Sequence, residues 1–524
     1  MRKLTADKNV GHTIKSVDLT KMRPIICAGC AGACHAGQAA QKNGNRQENR
    51  MTFSIAGSRL QPAPVIFLQR PLYFAVLSVT IWNGCARTKT GGASSFNTAQ
   101  RRQTMQTFAL KGNVIYTARR GKLELYPQSY LVCEAGKVAG VFRQLPDRWQ
   151  GIPVEDHGDK LILPGLIDLH VHASQYAYRG LGMDMELLDW LECNAFPEES
   201  RFADLGYAER AYAIFTDALL HSATTRACIF ATLHRPATLE LMKQLENAGL
   251  PCYVGKVNMD RNSPDTLRET TGQSLSETRL WLEESKEFSK VKPMLTPRFI
   301  PSCTDELMAG LGSLQRELGA AMQSHLSENL SEIRWVSELC PNTRFYGEAY
   351  AQAGLFGGSC PTVMAHCVWS GEEERALMKK NSVFIAHCPQ SNINVSSGIA
   401  PIKNYLDEGQ KVGLGSDVAG GAHLSIFRAM TDAIQSSKLR WRLVDQETPA
   451  LTLPDAFYMA TKGGGEFFGK VGSFEPGYEF DAVVMDDSSL PTTRDCTLEE
   501  RLERVVYLSD GHPCAKYAAG CRLF

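Results

Sequence analysis

The sequence lacks the features that would place it in several broad classes. No apolar run is fit to cross a membrane: the most apolar stretch, Pro64 to Trp82, is broken by Gln69, Arg70 and Pro71. There is no secretory signal, and the 16 cysteines follow no disulfide-framework spacing. They read as reduced thiols in an intracellular, cytoplasmic protein. There is no net charge, with 56 basic and 56 acidic residues. The whole chain therefore offers no electrostatic attraction to nucleic acid. No Gly-rich fingerprint follows the first strand-like run of the α/β region, which argues against a doubly wound dinucleotide-binding sheet.

What is present is uneven. Residues 1–104 carry 15 Lys/Arg and 3 Asp/Glu, a net of +12, and the remainder carries the balancing −12. This basic leader shows no sustained helical or strand period. Its Cys27, Cys30, Cys34 and His35 are spaced like part of a metal knuckle. They sit in an Ala/Gly run with no apolar residues to build a finger around them. Met105 directly precedes the first alternating strand pattern, so the functional chain is expected to begin near it.

From there the periodicity changes twice. Asn113 to Ala118, Leu123 to Val132 and Val138 to Phe142 read as strands punctuated by Gly136 and Gly140. Eight short apolar runs then alternate with helical stretches. The first is Leu161–Leu163 with Leu166–Leu169, then Ala227–Ala231, Cys252–Val257 and Pro293–Thr296. Ala320–Ser324, Thr362–Ala365, Ser382–Ala386 and Lys411–Gly415 follow. Helical stretches include Glu209–Leu220, Ala237–Asn247 and Leu307–Leu318. Eight such units predict a parallel α/β fold closed as a (β/α)8 TIM-like barrel. Strand texture returns near Gly472 and continues through Phe480 to Met485. The expected organisation is a leader over 1–104, a barrel over 164–464, and a small β-sandwich domain built from both flanks, 105–163 and 465–524.

The chemistry-bearing residues fall at the ends of those runs. His170 and His172, in Pro164-Gly165-Leu166-Ile167-Asp168-Leu169-His170-Val171-His172, are two apart on a strand and so point to one side. His325 follows Ala320–Ser324, His366 follows Thr362–Ala365, and Asp417 follows Val412–Ser416. The C-terminal ends of barrel strands are where such folds keep their active sites. Neutral imidazoles and a carboxylate are suitable metal ligands there. Glu328, three residues past His325, can carry protons beside a metal-activated water. His387 ends the seventh run and reads equally well as a pocket residue or a structural histidine.

This pattern resembles the amidohydrolase superfamily, in its mononuclear zinc deaminase branch. Several segments are similar to guanine deaminases: His172-Ala173-Ser174-Gln175-Tyr176, Leu187-Leu188-Asp189-Trp190-Leu191 with Phe196-Pro197-Glu198, and Thr296-Pro297-Arg298-Phe299. Ser324-His325-Leu326-Ser327-Glu328-Asn329, Ala386-His387-Cys388-Pro389-Gln390-Ser391-Asn392 and Gly415-Ser416-Asp417-Val418-Ala419 add to these. The resemblance covers roughly residues 106–524 and has no counterpart for the leader. It implies one zinc ion per subunit held by His170, His172, His325, His366 and Asp417. Gln175, Arg298 and Phe299 would contact a small-molecule purine, and Glu328 and Asp417 would contact it and move protons. The implied reaction is hydrolytic deamination of guanine to xanthine and ammonia.

The sequence departs from the family pattern at Arg226, at His234-Arg235-Pro236 and at Cys193-Asn194, changes expected to alter the pocket rim. A homodimer is expected, the commonest assembly of such enzymes. The alternatives are a deaminase acting on another aminated heterocycle and a non-catalytic barrel scaffold. A binuclear centre would need a bridging lysine where Arg298 stands. The unrelated zinc deaminase fold needs His-x-Glu with Pro-Cys-x-x-Cys, and Pro251-Cys252 lacks the second cysteine.

Overall fold

The computed structural model describes residues 107–524; the basic leader and its Cys27–His35 cluster lie outside them. Four strands open the described chain: β1 Phe108–Arg119, β2 Lys122–Glu134, β3 Lys137–Phe142 and β4 Val154–Pro164. The chain then enters the barrel strands: β5 Leu166–His172, β6 Thr224–Phe230, β7 Tyr253–Gly255 with its short continuation β8 Val257–Asn258, and β9 Lys292–Pro297. β10 Ala321–Leu326, β11 Thr362–His366, β12 Phe384–His387 and β13 Lys411–Leu414 complete that set. β14 Ala482–Met485, β15 Ala515–Ala518 and β16 Cys521–Arg522 return to the first sheet.

β5 to β13 are parallel neighbours in chain order, with β8 paired to β9. β5, β6, β11 and β12 are buried at every position. Parallel strands covered on both faces need this near-continuous apolar character. The ring closes just beyond β13, where Asp417 N–H donates to the His170 carbonyl at 2.9 Å and His172 N–H to the Val418 carbonyl at 3.1 Å. The near-closed eight-stranded parallel barrel is the architecture expected. Its helices start and stop where local chemistry dictates. Asp204 caps Leu205–His221 and Thr304 caps Asp305–Leu318, each with a side-chain oxygen on first-turn N–H groups.

The flanks combine into one mixed sheet in the order β16-β15-β14-β4-β1-β2-β3. β14 runs antiparallel to β4, with Val484 opposite Ile162 and Val483 opposite Leu163. The two ends of the chain therefore build a single β domain around Leu110, Leu131, Ile162, Phe480, Val484 and Tyr517. One detail departs from the sequence reading. Leu161–Leu163 with Leu166–Leu169, read as the first of the eight apolar runs, spans both sheets: Pro164-Gly165 divides it between β4 and β5. Gly165 permits the crossing, since a Cβ there would lie 2.1 Å from the Thr225 hydroxyl oxygen. No helix among the described residues is long and apolar enough to cross a membrane, and the cysteines among them are unpaired.

Candidate active site and metal centre

β5 carries the first two histidines. A bulge in its pairing with β6 falls between Asp168 and Val171; extra residues of this kind re-aim side chains. His170 and His172 are buried with their Nε2 atoms 3.2 Å apart. His325, near the end of β10, brings its Nε2 to 3.3 Å from that of His172. His366 ends β11 with φ of 72°, and Asp417 follows β13 with φ of 45°. Both residues hold the left-handed backbone that non-glycine residues seldom adopt, a strain that clusters at functional sites. Asp417 Oδ1 lies 3.0 Å from His170 Nε2 and 3.4 Å from His172 Nε2. Its Oδ2 lies 3.8 Å from His366 Nε2.

The arrangement fits a metal ion. The Nδ1 of His325 lies 2.6 Å from the Arg298 carbonyl, and that of His366 lies 2.8 Å from Asn392 Oδ1. Both partners are acceptors, so each Nδ1 bears the proton and each Nε2 turns a lone pair inward. The Nε2 atoms of His170, His172 and His325 converge to 3.2–3.3 Å from one neighbour to the next, a spacing that suits donors sharing one cation. Ligands at about 2.0–2.1 Å from one zinc ion lie roughly 3–3.5 Å from their neighbours. Burial, with His170 alongside, holds His172 and His325 well below the ordinary imidazole range, so they stay neutral. Burial opposes ionisation of Asp417, but the facing His170, with Nε2 3.0 Å from Oδ1, leads the groups that outweigh it and hold the carboxyl well below its usual range.

Glu328 sits beside this cluster, its Oε2 3.4 Å from His366 Nε2 and its Oε1 accepting the Ser397 hydroxyl at 2.9 Å. Burial, and then Asp417, push it up to about 8. Gln175, Arg298 and Phe299 line the same pocket as His172, His325, His366, Glu328 and Asp417. Leu187, Trp190, Leu191 and Val395 supply apolar surface. A pocket that joins a hard, polar end to apolar walls suits a flat heterocycle with a few hydrogen-bonding edges.

A family model described as the amidohydrolase family matches residues 161–512. A guanine deaminase from Dictyostelium discoideum is 38% identical over 429 residues, spanning 76% of this chain and 94% of that protein. The guanine deaminase of Escherichia coli (strain K12) is 34% identical over 377 residues, covering 71% and 81%. Among solved structures, guanine deaminase from C. acetobutylicum, with bound guanine in the active site, matches with a TM-score of 0.78 and 47% identity. That match covers 80% of this chain and 100% of the other. This chain belongs to the amidohydrolase family and, within it, to the guanine deaminases.

Several residues of this guanine deaminase family member were not singled out by sequence reasoning. Asp168 accepts the Ser416 hydroxyl at 2.5 Å, the Ser416 N–H at 3.0 Å and the His170 N–H at 3.1 Å, tying β5 to the Asp417 turn. Burial pushes its carboxyl up to about 7. Its place two residues before His170 was the available signal. Glu199 and Asn392 are buried polar partners of Arg298 and His366; Asn392 closes a segment similar to the family, and nothing local marks Glu199. His387 is buried with Nδ1 unpartnered, and burial, then His366, push it down to about 3.

Arg226, expected to alter the pocket rim, lies away from it. Arg226 pairs with Ile167 near the start of β6, four residues before Phe230, which pairs with His172. It therefore sits at the other end of the barrel, with Nε 2.7 Å and Nη2 3.1 Å from the Asp481 carboxylate. Arg235 is likewise turned outward, onto Glu277 and Glu284.

Proposed function

We infer that this chain hydrolyses guanine to xanthine and ammonia, using one zinc ion held by His170, His172, His325, His366 and Asp417. The observation that carries this reading is a single pocket joining that cluster to Gln175, Arg298 and Glu328, in a chain 47% identical to a guanine deaminase that holds guanine. A bound zinc ion supplies a water whose pKa is lowered toward roughly 7. The rest is the work of side chains. Gln175 and Arg298 hold the purine by its polar edge, with the Arg298 donors suited to a carbonyl oxygen or ring nitrogen. Phe299 packs against the ring system. Asp417, kept ionised, accepts the proton of the attacking water at its free oxygen. Glu328, kept protonated by burial, donates from its carboxyl to the ring nitrogen beside C2. Returned protons leave the exocyclic amine as ammonia and the ring as xanthine. Acid–base help of this kind contributes roughly 100- to 10,000-fold.

The working enzyme is residues 105–524, with a barrel over 164–464 and a composite domain from 105–163 and 465–524, acting as a cytoplasmic homodimer. The pairing of β14 with β4 supports the composite domain. Ammonia release from guanine by the purified chain, with and without a zinc chelator, tests the activity; turnover that survives complete removal of metal overturns the metal role. Light scattering on the 105–524 chain tests the dimer. A non-catalytic scaffold is disfavoured by the complete donor set.

A further inference from the structure

Glu199 is 2% exposed and has a fully committed carboxylate. Its Oε1 accepts Gln175 Nε2–H at 2.7 Å, and its Oε2 accepts Arg298 Nη1–H at 2.5 Å. Gln175 Oε1 in turn accepts the Ala419 backbone N–H at 3.1 Å. These contacts allow one amide orientation only. The flipped amide would set its oxygen against a carboxylate and its NH2 against an N–H. What Gln175 keeps for a ligand is one N–H and one lone pair. Arg298 keeps its remaining donors, with its guanidinium carbon 5.1 Å from the centre of the Phe196 ring. Phe196 and Glu199 lie on the same short helix, Phe196–Ser200, so one turn of chain supports both contacts of Arg298.

The Arg298 charge is also matched inside the wall. The two side chains are 3% and 2% exposed. An unpaired buried guanidinium would favour an anionic ligand; a paired one leaves a neutral but donor-rich edge.

We propose that Glu199 is the positioning residue that sets this pocket's base-reading edge, orienting Gln175 and Arg298 toward an uncharged purine carrying a carbonyl. The proposal rests on the guanine reading above. Gln at this position offers one acceptor where two donors need one each, so either Gln175 or Arg298 loses its anchor.

The test uses the full chain and two substrates with the same C2 amine: guanine, and 2-aminopurine, which lacks the ring carbonyl. Steady-state ammonia release is measured for the wild type, Glu199→Gln, Gln175→Ala and the double variant, with metal content and melting recorded for each. Glu199→Gln is expected to lower kcat/KM for guanine by about 10- to 100-fold, chiefly through KM, while 2-aminopurine changes by less than roughly threefold. The guanine preference falls, and adding Gln175→Ala costs little more, as expected of residues that act as a unit. An equal fall on both substrates, or multiplicative effects in the double variant, overturns the proposal. A wild type that turns over both substrates equally well also overturns it. A wild type inert on guanine overturns the guanine reading itself, and the proposal with it. If Glu199→Gln does not fold, Glu199→Asp, charged but one methylene too short to span both partners, carries the same test.

Discussion

His325 donates its Nδ1–H to the carbonyl oxygen of Arg298 across 2.6 Å. One residue thus aims an imidazole of the donor cluster with its carbonyl and presents a guanidinium to the same pocket with its side chain. The donor cluster and the Arg298 wall of the pocket are geometrically coupled, and a disturbance of either will register in the other.

The analogous support for His366 is the Asn392 side chain. Asn392→Ala is expected to weaken metal binding by about 10- to 100-fold with the fold intact, the usual cost of losing a partner that orients a ligand. Competition with a chromogenic chelator measures it; an affinity equal to wild type would show that Asn392 does not orient the ring.

Glu328→Gln keeps the shape and the Ser397 contact but removes the transferable proton. It should lower kcat by about 100- to 10,000-fold and leave metal content unchanged. Steady-state kinetics alongside elemental analysis decides this. Unaltered kcat would move the proton-transfer role elsewhere.

These residues were legible because each histidine and Asp417 follows an apolar run of strand length, so a barrel brings them to one mouth without knowledge of any angle. Glu199 was not legible. In Phe196-Pro197-Glu198-Glu199 it looks like the exposed first turn of a helix, and its burial depends on Gln175 and Arg298 arriving from other elements. Arg226 misled for a related reason. A charged residue that departs from the family pattern suggested a changed rim, and only the register of β5 against β6 shows that it lies at the far end. Leu161–Leu163 and Leu166–Leu169 were grouped as one run because two apolar segments one break apart look the same in one sheet or in two.

Arg226 and Asp481 form a buried pair between the barrel and the flanking sheet, and Asp481 Oδ1 also accepts the Ala519 N–H at 2.7 Å. Arg226→Ala strands that carboxylate and should destabilise the chain by about 3–5 kcal/mol, with kcat per folded molecule near wild type. Thermal unfolding at a fixed scan rate, with activity of the surviving fraction, measures both. A fall in kcat without a fall in melting temperature would place Arg226 in the chemistry after all.

Glu332 accepts the Glu328 N–H at 3.1 Å and the Tyr346 hydroxyl at 2.7 Å. Burial, and then Glu328, push its carboxyl from 4.5 up to about 7. Between those values the folded chain holds a proton that the unfolded chain has released, so the stability it contributes is full below pH 4.5 and is lost as pH rises through 7. In metal-stripped protein, Glu332→Gln should therefore flatten the decline of melting temperature between pH 4.5 and 7. Identical slopes in the two proteins would rule this out.

Asp168 and Ser416 are 248 positions apart, and their contact lies on the seam that closes the barrel. A ribosome delivers the two early histidines long before the carboxylate that faces them. Every chain length between His170 and Asp417 carries some of the donors and not the finished pocket. A chain interrupted before β13 is therefore silent rather than partly active, and the donors converge only in molecules whose last strand has docked. The reaction centre thus doubles as a record of completed assembly.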